Sequence, residues 1–149
     1  ISNMFFGMTR ALFDSYIFGD TRFYYLSLIR ESEYSDKGWG IHGLWPQYTE
    51  NSYPSFCHNV DFSIDALKSI MPELKEYWHS DREPDADFWC HEYKKHGSCM
   101  FKTMTELDYF TLALDLFNKA IQQRLPEKYY NSKTGKCLIP VNLDFTFRN

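Results

Sequence analysis

Phe88-Trp89-Cys90-His91-Glu92-Tyr93-Lys94-Lys95-His96-Gly97-Ser98-Cys99 places two histidines, a carboxylate and two lysines within six consecutive residues. Aromatics precede them and a glycine follows. At roughly 100° per residue, the polar groups of a helix over this stretch are not scattered. His91 and Lys95 are i,i+4 neighbours, as are Glu92 and His96, and the two pairs lie side by side. Phe88 sits one turn earlier on that side, while Trp89, Cys90 and Tyr93 point away towards a core. Gly97 supplies a helix stop. One helical face thus gathers two imidazoles, a carboxylate, an ammonium and an aromatic ring. The plainer reading is a solvated face with incidental histidines.

A zinc helix places its histidines at i and i+4 so that both reach one ion. Here the spacing is i and i+5, which splays the rings by roughly 140° under the same helical count. Lys95 also sits inside the cluster, where its cation opposes a metal. A metal-dependent hydrolase is therefore disfavoured.

A second segment, Trp39-Gly40-Ile41-His42-Gly43-Leu44-Trp45-Pro46-Gln47, centres on a histidine between two glycines that permit close backbone approach. Pro46 is expected to end any strand there. Together, His-Gly-Leu-Trp-Pro and His-Glu-Tyr-x-Lys-His-Gly-Ser-Cys resemble the two active-site segments of the ribonuclease T2 family. The likeness is clear from Trp39 to Cys99, continues weakly to the C-terminus and is poor before Arg22.

That resemblance implies a metal-independent endoribonuclease without a cofactor, acting on single-stranded RNA. Cleavage would run through a 2′,3′-cyclic phosphate to a 3′-phosphate. RNA carries its own nucleophile in the 2′-hydroxyl, and two imidazoles suit the proton transfers because they titrate near neutrality. By the same resemblance His96 would be the general base and His42 the general acid. His91 would bind phosphate, with Glu92 and Lys95 stabilising the transition state. Trp45, Gln47 and Tyr53 would border one base site and Phe88 the other; for these aromatics core packing is the competing reading. Glu92 could equally orient an imidazole. His58 and His79 fall outside both motifs and are expected on the surface. The competing functional class is a degenerate relative that binds RNA or a partner through the same cleft.

Four cysteines allow three pairings, and no C-x-x-C is present. The resemblance implies Cys57 with Cys99, which would leave Cys90 with Cys137. The alternative is that the latter two are buried free thiols.

A single domain over 1–149 is expected from the length. Hydrophobics at 44% and aromatics at 19% exclude a disordered chain. The net charge of −4 argues against tight non-specific nucleic-acid binding at neutral pH. Protonation of all five histidines would bring it to +1, so an acidic setting suits the chain better. Ile1–Met8 has no basic n-region and no apolar run approaches a membrane span. The chain, opening on Ile1, reads as processed or trimmed. Secreted or endolysosomal and vacuolar settings are what the resemblance implies, with a monomer expected.

Arg22–Arg30 reads as a core strand and Trp39–Trp45 as its neighbour. A short helix is expected near Met8–Tyr16. Asp61–Trp78 has helical spacing interrupted by Pro72. Thr105-Glu106-Leu107-Asp108 resembles a capping box with Asp in place of Glu. It opens a helix over Glu106–Arg124 with Leu107, Phe110, Leu114, Phe117 and Ile121 on its apolar face. Cys137–Phe147 alternates as a final strand. These elements predict an α+β fold of ribonuclease T2 type, a central antiparallel sheet with several packed helices.

Overall fold

The computed structural model describes residues 20–31 and 35–148. The helix expected near Met8–Tyr16 lies outside them. Strand β1 (Phe23–Arg30) alternates as a half-buried strand should: Tyr24, Leu26 and Leu28 are buried in the core, while Tyr25 and Ile29 are half-buried. It pairs antiparallel with β2 (Trp39–Gln47) on one side. On the other it pairs with β4 (Lys136–Val141), which in turn pairs with the two-residue β3 (Tyr130–Asn131). The order is β2-β1-β4-β3, so β2 is an edge strand. That explains why Pro46 does not end β2: it pairs with Tyr24 inside the strand. An edge accepts a proline whose missing N–H would have faced outwards.

The β1–β2 register slips once. Ser27 lies opposite Gly43 but Leu28 lies opposite Ile41, so His42 is the extra residue of a bulge. The bulge lets Ile41 and Leu44, three apart, both point into the core, where each is fully buried. It also frees His42 from the side-to-side alternation of the strand.

Helix α1 (Met71–Tyr77) follows a 3₁₀ segment at Ile64–Ile70, and Pro72 lies in its first turn, where no N–H is missed. Helix α2 (Asp85–Lys95) buries Trp89 and Tyr93 as expected, with Cys90 half-buried. The Trp89 indole donates to Trp78 O at 2.6 Å and the Tyr93 hydroxyl to Met104 O at 2.7 Å. Truncating Trp78 or Trp89 to Ala would cost about 3–5 kcal/mol. Helix α3 (Glu106–Gln122) is capped by Thr105 Oγ1, which accepts from Asp108 N. Its buried face is rotated from the expected one. Tyr109, Phe110, Ala113, Leu114, Leu116, Phe117 and Ala120 are inside, whereas Leu107 is exposed. The rotation follows from Tyr109, whose hydroxyl donates to Leu44 O at 2.7 Å and so enters the core with its polar atom satisfied. Helix α4 (Leu125–Tyr129) then leads into β3.

The last expected strand is shorter than Cys137–Phe147. It stops at Val141, and Asn142–Thr146 folds into a turn that returns Phe147 beside Val141. Asp144 and Thr146 bond to one another there, a local pattern that competes with a ladder. Cys57 and Cys99 form a disulfide across 42 positions. Cys90 and Cys137 do not pair; both are free thiols. Cys137 is buried on β4 with its Sγ against Pro126 O of α4, while Cys90 belongs to α2, whose Glu92 accepts from Trp45 of the edge strand β2. Among the described residues no helix is long and apolar enough to cross a membrane.

Candidate functional site

The bulge on β2 and the C-terminal half of α2 meet over one groove of about 820 Å³. His42, Trp45, Gln47, Tyr53, Phe88, His91, Glu92, Lys95 and His96 all line it, so both sequence segments converge. At its floor Glu92, only 3% exposed, lies between two imidazoles. Its Oε1 is 3.6 Å from His42 Nε2 and its Oε2 is 3.6 Å from His96 Nε2. The Trp45 indole donates to the same Oε2 at 3.1 Å. His42 is fixed through its backbone, whose carbonyl accepts from the Trp78 indole. Its ring lies 4.9 Å from Trp45 and 5.9 Å from Phe88.

The helical face read from the sequence is divided by depth. Glu92 and His96 are buried, Lys95 is half-buried and His91 is exposed. Tyr53 projects at the rim with its ring 6.0 Å from His96 and the Lys95 ammonium 5.8 Å above it. Gln47 is buried and its amide donates to Thr49 O and Ser52 O, so it braces the rim loop as well as lining the groove. The disulfide, the Phe56 N–H to Lys95 O and the Cys57 N–H to Ser98 Oγ fasten that loop to the end of α2.

Burial pushes all three central groups towards their neutral forms. Glu92 is raised to about 8 by desolvation, opposed by the Trp45 N–H and the Lys95 charge. His96 is lowered to about 3 by desolvation, then by the charges of Lys95, His91 and His42. His42 is lowered from 6.5 by burial, then by Arg82 and Lys95. His96 Nδ1 is buried with no hydrogen-bond partner among the described residues. Burial therefore makes both imidazoles give up their protons readily, while the Glu92 carboxyl keeps its own.

Three residues that the sequence reading did not assign to the site also belong to this region. His79 is not on the surface as expected. It is 12% exposed, lines the groove, and its Nε2 faces Glu31 at 3.6 Å and Asp81 at 3.2 Å. These three offer donor atoms within 4.8 Å of one another, a set that could hold a divalent ion, although the two ion pairs already account for the arrangement. Arg82 lines the groove and bears on His42. Phe56, 58% exposed with φ at 49°, sets its ring 6.2 Å from His91. An exposed large aromatic in a left-handed conformation is the feature that marks it. His58 is exposed, as expected.

Residues 21–136 match the Ribonuclease T2 family. The chain is 40% identical over 81 residues to Ribonuclease DdI of Dictyostelium discoideum, covering 53% of this chain and 36% of that protein. It is 35% identical over 85 residues to Extracellular ribonuclease LE of Solanum lycopersicum, covering 54% of this chain and 37% of that one. The match thus spans well under half the length of these curated relatives. Among solved structures, RNase NT in complex with 5′-AMP superposes with a TM-score of 0.67 at 19% identity, covering 86% of this chain and 89% of that one.

Proposed function

The chain belongs to the ribonuclease T2 family, and from that premise we propose that it is a metal-independent endoribonuclease cleaving single-stranded RNA by transphosphorylation. The observation that carries the reading is the buried Glu92 flanked by one imidazole from the sheet and one from the helix. His96, held neutral by burial, takes the proton of the 2′-hydroxyl, and the freed oxygen attacks phosphorus. His42 gives its proton to the departing 5′-oxygen, leaving a 2′,3′-cyclic phosphate. Water then opens the ring with the two roles exchanged, leaving a 3′-phosphate. Lys95, at the rim, supplies positive charge to the phosphate, and His91, exposed beside it, offers a ring N–H to a phosphate oxygen. Glu92, raised to about 8, is a neutral acid at acidic pH and can donate to a non-bridging oxygen as charge develops.

The bases would lie against Tyr53 on one side and Phe88 on the other. A secreted or vacuolar setting is supported by the disulfide and by the name of the tomato relative. Digestion of a defined RNA with mass analysis of the ends tests the reading. Cyclic phosphates maturing to 3′-phosphates are expected; 5′-phosphate ends would overturn it.

A further inference from the structure

Phe56 is out of place by two ordinary criteria. It is 58% exposed, and its backbone sits at φ 49°, a left-handed conformation that a bulky side chain adopts only when its surroundings impose it. The surroundings do so here. The Phe56 N–H donates to Lys95 O at 2.9 Å, the Cys57 N–H to Ser98 Oγ at 3.0 Å, and the Ser98 hydroxyl in turn to Lys94 O at 2.7 Å. The Cys57–Cys99 disulfide closes the same junction. A single exposed phenylalanine needs no account; one clamped to the end of α2 and still held out in water does. Its ring meets that of His91, which lines the groove, at 6.2 Å. The same residue also lines a second cavity of about 330 Å³, with Cys57, His58, Asn59, Val60 and Lys94. That lining offers two exposed N–H donors, Lys94 and His58, and no carboxylate, in a chain whose net charge is −4.

We propose that Phe56 is a stacking platform for a base of single-stranded RNA outside the cleaved dinucleotide, with Lys94 and His58 meeting the phosphate that leads to it. The proposal rests on the function proposed above and extends its substrate by one nucleotide. Continuity argues for RNA as the occupant: a strand whose phosphate lies at His91 finds Phe56 beside it and the second cavity next. Charge argues the same way, since N–H donors without a carboxylate suit a polyanion. An aromatic face accepts any base, because every base has a π-face, while an ammonium follows the backbone. Fixing the ring's backbone before the strand arrives removes an ordering cost from binding, which is what a clamped loop provides.

The test uses two substrates that share one scissile step: a dinucleotide, and a hexanucleotide in which only the ribose at that step carries a 2′-hydroxyl. The wild type should cut the hexanucleotide with the higher kcat/KM. Phe56→Asn removes the ring and suits a left-handed backbone, whereas Phe56→Trp keeps a ring. Phe56→Asn should lower kcat/KM on the hexanucleotide by roughly 5- to 150-fold, the effect of losing one stacked base, and on the dinucleotide by less than about twofold. Phe56→Trp should keep the preference for length. Equal losses on both substrates, or no loss on either, would overturn the platform; a ring kept for a protein partner would give the latter. Binding of the all-deoxy hexanucleotide, followed by fluorescence anisotropy, separates the platform from the reaction. There Lys94→Gln should reduce the slope of the logarithm of affinity against that of salt by about 0.7, one phosphate on a single strand. Weaker binding by Phe56→Asn, in a protein that cuts no RNA, would leave the platform standing and remove the reaction. Unchanged binding alongside cyclising cleavage would remove the platform alone.

Discussion

Two clusters of histidine and carboxylate line the same groove with opposite composition. At Glu92 one carboxyl sits between two imidazoles; at His79 one imidazole sits between the carboxylates of Glu31 and Asp81. The first is closed at its floor: Glu92 is 3% exposed and His96 7%, with the His42 side chain open to the groove at 44%, and burial drives all three towards neutrality. The second is open on one side, since the Asp81 side chain is 65% exposed, and its contacts join the end of β1 to the connector before α2. The same residue types therefore do different things. Desolvation with few fixed partners makes groups that exchange protons, whereas two carboxylates around one ring make a tether.

The sharpest way to break this contrast is to remove the histidines of each cluster in turn. His42→Ala or His96→Ala should each lower cleavage of an RNA oligonucleotide by about 10²–10⁴-fold, since one placed acid or base contributes that much. The double variant should lose far less than the product, because the pair acts as a unit. Initial rates measure it, and near-normal turnover in either single variant would sink the role assigned to that ring.

The disulfide sits between these extremes, because it holds the rim loop to the end of the helix that carries His96. Replacing Cys57 and Cys99 by Ser should lower stability by about 2–4 kcal/mol, read from urea unfolding. Native protein whose Cys57 is alkylated without reduction would contradict the pairing. The tether should matter least. His79→Ala is expected to cost about 1–3 kcal/mol, because it leaves the largely buried Glu31 carboxylate without this partner while the exposed Asp81 loses little, and to lower the rate less than about tenfold. EDTA should leave the rate unchanged, and a rate that collapses with EDTA would make the Glu31–His79–Asp81 set a working metal centre rather than a tether.

The gathering of the site residues was legible in the sequence because it depends on residue types at fixed helical spacing: His91, Glu92, Lys95 and His96 needed only α2 and its C-terminal cap to form. Three of the four strands were legible from their residue types, but the two-residue β3 was not and the last strand stops at Val141, short of the expected Phe147. The bulge that presents His42 was not, since it depends on which residues of β1 stand opposite. Nor was the depth of Glu92, which comes from Trp45 folding over it from another strand. His79 looked like a surface residue because Glu31 lies 48 positions earlier in the chain, and only the tertiary fold brings it near. The free state of Cys90 and Cys137 has the same origin: one stands on α2 and the other is buried on β4 against Pro126 O, a placement only the tertiary fold decides. The rotated face of α3 turned on a tyrosine hydroxyl finding Leu44 O, which no hydrophobic periodicity records.

The central claim is that Glu92's neighbours are a proton-transferring pair, and the pH dependence of cleavage tests it most directly. His96 must be neutral, so activity should rise as pH climbs through its depressed value near 3. His42 must be protonated, and burial with Arg82 and Lys95 places its titration below 6.5, so kcat/KM should fall again as pH rises through that range. Matched RNA and DNA oligonucleotides measured from about pH 2 to 8, which spans the depressed His96 value and the ordinary imidazole range, should show a bell on the acidic side of neutral for RNA. No cut should appear in DNA, which lacks the 2′-oxygen. A flat profile, or cleavage of the DNA strand, would contradict the account.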